Sequence, residues 1–153
     1  MPLAISTAAA GLYLPEYLGL PLPSTMPQPI GKTVLIWGGS SSVGATAIQL
    51  AVASGLDVIA TASSSNHAFI RSIGAREVFD YKSPSVIEDI VAILKYSELV
   101  GIYDAIGNII SSTLLAAITK HLAQTITAVG VHPCENPTDW FHPAYSMWHM
   151  TYL

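Results

Sequence analysis

The residues of this chain best suited to chemistry form one small-residue loop, Gly38-Gly-Ser-Ser-Ser-Val-Gly44, set between an apolar run, Thr33 to Trp37, and a helical stretch, Val43 to Ala53. Such a loop can hold a pyrophosphate. It turns sharply, lets a ligand reach the main chain, and starts a helix whose positive dipole end faces the phosphates. The stretch Gly39-x-Ser41-x-x-Gly44 follows the dinucleotide pattern with serine in the middle glycine's place. Ser40, Ser41 and Ser42 could add hydroxyl donors toward phosphate beside the backbone amides that lead into the helix at Val43. The same serines would serve a plain βα turn as helix caps.

The second informative position is the end of the next apolar run, Asp57 to Thr61. An acid about 20 residues past the glycine loop normally holds a ribose 2′-hydroxyl and repels a 2′-phosphate. Nineteen residues after Gly44 stands Ser63, followed by Ser64, Ser65 and Asn66. With no acid there, NAD and S-adenosylmethionine lose ground and NADP gains. Hydroxyls, the Asn66 amide and helix-start amides would hold the phosphate, and the same four residues also suit a helix cap. Tyr81, after Phe79-Asp80, is placed to lie beside the adenosine ribose or to pack as an edge aromatic. Ile106-Gly107 and Ala128-Val129-Gly130 would end two further strands on the carboxyl edge, where small or apolar groups such as Ala128 and Val129 suit a nicotinamide.

Other chemistries find less support. His132, Cys134, His142 and His149 gather near the end, but their spacing matches no common zinc pattern, so no metal site is expected. There is no G-x-S-x-G elbow and no Tyr-x-x-x-Lys pair. No catalytic residue can be assigned.

These positions require a scaffold that alternates strand and helix. A first helix over residues 1–20, with Leu3, Thr7, Ala10 and Leu14 on one face, is stopped by the prolines of 21–29. Strands are then expected at 33–37, 57–61, 77–79, 101–106 and 125–129. Helices between them start at Val43, at His67 and after Ser83-Pro84, and the last carries Ile110, Leu114, Ile118 and Leu122. The reading is an α/β, Rossmann-type, doubly wound parallel sheet of order 3-2-1-4-5. A sixth strand is not expected, because 131–153 is rich in Pro, His and Trp. The organisation is thus a linking helix and connector (1–32), a dinucleotide-binding domain (33–130) and an irregular carboxyl-terminal segment (131–153).

Composition narrows the class further. The chain has 153 residues, of which 51% are hydrophobic and only 10% charged, against about 25% charged in an ordinary domain. Some apolar surface is left for a partner: a further domain or a second copy. No run of about 20 apolar residues is clean enough to span a membrane. A net charge of −4, spread along the chain, gives no nucleic-acid footprint. A lone Cys134 and the lack of a secretory signal point to a reducing, cytoplasmic setting.

Taken together, Thr7-Ala-Ala-Ala-Gly-Leu-Tyr13, Leu18-Gly-Leu-Pro21, Val34 to Gly44, Gln49-Leu-Ala51, Ser72-Ile-Gly-Ala75 and Phe79-Asp-Tyr81 resemble the medium-chain dehydrogenase/reductase superfamily. Within it they look most like fungal trans-acting enoyl reductases of polyketide pathways and zinc-type alcohol dehydrogenase-like proteins. The resemblance implies a nucleotide-binding domain that uses NADPH, and a GroES-like catalytic domain that this sequence does not match. It implies hydride transfer to the β-carbon of an α,β-unsaturated thioester, possible on a carrier protein, without catalytic zinc. Proline and a longer polar or basic residue are common in the family where Ser64 and Ser65 stand. Two other readings stay open: a non-catalytic NADP(H)-binding module or truncated gene product, and a quinone-type reductase.

Overall fold

The computed structural model describes residues 2–123, 126–131 and 147–152. A helix, α1 (Pro2–Tyr13), precedes β1 (Lys32–Trp37), α2 (Ser42–Ala53) and β2 (Asp57–Ala62). After a 3-10 turn at Ser64–Asn66 come α3 (His67–Ser72), β3 (Glu77–Asp80), α4 (Val86–Leu94), β4 (Glu98–Asp104), α5 (Ile109–Leu122), β5 (Ile126–Val131) and β6 (Met147–Tyr152). The sheet order is β3-β2-β1-β4-β5-β6. Its first five strands are parallel, in the expected 3-2-1-4-5 order.

The central strands are apolar on both faces because helices cover both. Val34, Ile36, Val58, Ala60 and Tyr103 pack with Ala47, Ile48 and Ala51 of α2 and Ile70 of α3. Their neighbours in sequence, Leu35, Trp37, Ile59 and Ile102, face Ile90 and Leu94 of α4 and Leu115, Ile118 and Leu122 of α5. The period-two alternation of side chains divides one ladder between two cores. Tyr103 is wholly buried and donates to the Thr7 carbonyl at 3.2 Å; burial, and then the charge of Asp104, raises its pKa.

Several expectations are corrected. A sixth strand exists: β6 runs antiparallel to β5, from Ile126↔Tyr152 to Val131↔Met147. An antiparallel neighbour needs no crossover helix, so the lack of a helical pattern after residue 131 did not argue against it. The first helix stops at Tyr13 rather than near residue 20, since a residue before proline, here Leu14, avoids the helical region. Its buried face is Ala4, Ala8, Gly11 and Leu12, while Leu3 and Leu14 are exposed. Small residues let α1 lie close to the protein, so the largest apolar side chains marked the wrong face. Strand β4 ends at Asp104, not Ile106. On α5 the inward stripe runs through Ser111, Leu115, Ile118 and Leu122, leaving Ile110 exposed.

Candidate dinucleotide-binding cleft

Between β1 and β4 the strand order reverses, so the chain leaves β1 toward one face of the sheet and β4 toward the other. A crevice opens beyond their carboxyl ends. Here it is a cleft of about 350 Å³ lined by Trp37, Gly38, Ser40, Ala62, Tyr81, Ile106, Asn108, Ile110, Ser111 and Leu114.

The floor is the glycine loop, and the glycines are there for space. A Cβ on Gly44 would run into the Gly38 carbonyl oxygen and lie 3.0 Å from the Gly39 Cα. One on Gly39 would meet Ile48 Cδ1 at 2.9 Å. The loop is also tied to β2: the Gly38 amide donates to Thr61 Oγ1 at 3.0 Å and the Gly39 amide to the Thr61 carbonyl at 2.8 Å. Ser41 is the helix cap, its Oγ accepting from the Gly44 amide at 3.0 Å and donating to the Gly38 carbonyl at 2.9 Å. That hydroxyl is occupied. The amides of Ser42 and Val43 remain unpaired donors of the first helical turn, the kind of group that binds anions at helix starts.

The remaining expected residues separate into those the cleft gathers and those it does not. Ser40 and Tyr81 line it, with Tyr81 42% exposed. Ser63 to Asn66 stand just past Ala62, folded on themselves: Asn66 Nδ2 donates to Ser63 Oγ at 2.9 Å, and Ser63 and Ser65 hydroxyls are 3.3 Å apart. Ser64 and Ser65 are exposed. Ala128 and Val129 lie elsewhere, wholly buried inside β5 and paired on one side with Ile102 and Tyr103.

The wall opposite Tyr81 was not foreseen. Asp104, fully buried at the end of β4, accepts from the Ile106 amide at 2.9 Å, the Gly107 amide at 3.0 Å and Ser111 Oγ at 2.5 Å. Asn108 caps α5 by accepting from the Ser111 amide, and Ser111 reciprocates at the Asn108 amide. This network fixes the 105–108 turn so that Ile106 covers Gly38. An acid closing an apolar strand was the available signal, because a buried carboxylate must find donors. Ile106 and Ile110 remain 41% and 68% exposed at the cleft. Apolar walls on both sides and donors below suit a flat ring with a phosphate tail. Ile106 lines the same cleft as Ala62 and Tyr81.

The cleft's polar lining is Ser40, Tyr81, Asn108 and Ser111. Among the described residues, no group of three or more His, Cys, Asp or Glu could hold a metal ion. His132, Cys134 and His142 lie outside the described residues. Among the described residues, no helix is long and apolar enough to cross a membrane.

A parallel sheet with a glycine-rich turn at its switch point defines a nucleotide-binding α/β domain. A family model described as zinc-binding dehydrogenase matches residues 42–151. The chain belongs to that family and is a nucleotide-binding domain of the medium-chain dehydrogenase/reductase superfamily. Trans-enoyl reductase himH of Aspergillus japonicus is 54% identical over 108 residues, covering 71% of this chain and 30% of himH. Dehydrogenase orsE of Emericella nidulans is 40% identical over 127 residues, 80% of this chain and 36% of orsE. The chain thus spans about a third of the length of these relatives. The CurK enoyl reductase shares the fold, with a TM-score of 0.68 over 88% of this chain and 36% of CurK at 22% identity. Mycobacterial Rv1454c, solved in complex with NADPH, has a TM-score of 0.57 at 25% identity, over 77% of this chain and 34% of that one.

Proposed function

We propose that the chain binds NADPH and supplies the cofactor-binding part of an NADPH-dependent reductase acting on an activated alkene, such as an α,β-unsaturated thioester. One observation carries the cofactor assignment: where the ribose acid would stand at the end of β2, Ser63 begins a neutral hydroxyl and amide cluster beside the cleft. A neutral cluster accepts a 2′-phosphate that an acid would repel. Rv1454c, complexed with NADPH, and the trans-enoyl reductases among the relatives agree with this reading.

In this reading the adenine lies between Tyr81 and Ile106, and the pyrophosphate meets the Ser40 to Val43 turn. The nicotinamide extends along the carboxyl edge toward β5. NADPH supplies the hydride when bound; this chain's residues bind and orient. Substrate, carried free or on a carrier protein, and the proton donor would meet the cofactor at a further GroES-like domain or a second copy. A cytoplasmic setting, where NADPH is available, fits the lone Cys134.

Fluorescence titration tests the assignment. NADPH should bind more tightly than NADH, and Ser63→Asp should reverse the order by about tenfold, the cost of one unfavourable charge contact. Equal affinities would sink it. Oxidation of NADPH on adding an enoyl thioester tests the reaction; cofactor binding without turnover would identify a binding module.

A further inference from the structure

The chain has only six Lys and Arg residues, all among the described ones, and their placement is uneven. Five belong to the amino edge of the sheet. Lys32 opens β1 and pairs with Glu98 at 3.3 Å. Arg76 precedes β3 and pairs with Asp57, the first residue of β2, at 2.6 Å. Arg71, in the last turn of α3, pairs with Glu77 at the start of β3 at 3.7 Å. Lys95 and Lys120 stand at the carboxyl ends of α4 and α5. Helices of a doubly wound fold run back against their strands, which puts those ends at the amino edge as well.

Lys82 is the exception. It follows β3 at the carboxyl edge, two residues past Asp80. Ala62↔Asp80 is the last pair of the β2–β3 ladder, so the chain leaves the sheet with Ser63 and Tyr81 side by side. Lys82 Nζ lies 5.7 Å from the Tyr81 ring centroid, within cation–π range, and that ring lines the cleft. Its amide donates to Asp80 Oδ1 at 2.9 Å, so that carboxylate is engaged by the backbone. Lys82 makes no ion pair among the described residues.

Resting on the NADPH reading above, we propose that Lys82 is the specificity-determining cation of this site, completing with Ser63 to Asn66 the recognition of the 2′-phosphate. Hydroxyls and amides hydrogen-bond a ribose hydroxyl as readily as a phosphate. A cation favours only the phosphate, through a charge-assisted bond. Tyr81 carries the lysine at the mouth of the adenosine half, where it reaches a phosphate without entering the cleft.

The test is titration of the full chain and its Lys82→Gln and Lys82→Arg variants with NADPH and with NADH, followed by nicotinamide fluorescence. Lys82→Gln should weaken NADPH about tenfold and leave NADH unchanged, while Lys82→Arg keeps the preference. Raising the salt should weaken NADPH binding to the parent chain more than to Lys82→Gln. If the parent prefers NADPH and Lys82→Gln prefers it as strongly, the role of Lys82 is overturned and the NADPH reading stands. If the parent binds both cofactors equally, the NADPH reading itself is overturned, and Lys82 with it.

Discussion

The two edges of the sheet share the same strands and differ in how their polar groups are used. At the amino edge, charges face each other: Lys32 with Glu98, Arg76 with Asp57, Arg71 with Glu77. At the carboxyl edge the two carboxylates, Asp80 and Asp104, accept from backbone amides, while the Ser42 and Val43 amides and Lys82 are left unspent. Three of the five amino-edge cations are paired, whereas the carboxyl edge keeps backbone donors that no described residue takes up. Its one fully paired feature, the Asp104 network, holds the cleft's wall in place.

That contrast can be broken most severely at Gly44. Gly44→Ala drives a Cβ into the Gly38 carbonyl oxygen, which belongs to backbone and cannot swing away. We expect about 3 kcal/mol of lost stability in a urea melt and about a hundredfold weaker NADPH binding. Next comes Asp104→Ala, which strips the acceptor from a buried hydroxyl and two amides. It should cost about 2 kcal/mol, whereas Asp104→Asn, keeping one carboxamide oxygen for the amides, should cost less. Unfolding curves for the two variants decide this. Arg76→Ala should do least. Its pair with Asp57 is about half exposed on both sides, so the loss should stay under about 1 kcal/mol. NADPH affinity should not move, and a change in it would show that the amino edge is coupled to the cleft.

Much of the scaffold was legible. Apolar runs ended by small residues marked five parallel strands, because strands buried on both faces have no polar alternation to hide them. The loop 38–44 was legible for the same kind of reason, as close packing of backbone on backbone admits only glycine at Gly44. Less legible were features decided by contact between distant segments. The inward face of α1 could not be chosen from side-chain size, since Ala4, Ala8 and Gly11 are buried by fitting closely rather than by being large. β6 was hidden because its strand character appears only beside β5. Asp104 read as an interruption in an apolar run until the turn after it supplied three donors.

By itself, then, the sequence determined the order of elements as far as β5, the glycine turn and the missing acid at Ser63, all local consequences of residue size and charge. Tertiary structure decided which of the named residues meet. It brought Ser40, Tyr81 and Ile106 to one cleft, buried Ala128 and Val129 inside the sheet, and put five cations at one edge and Lys82 at the other. Those outcomes depend on strand order and on the direction in which each helix returns, which no local pattern encodes.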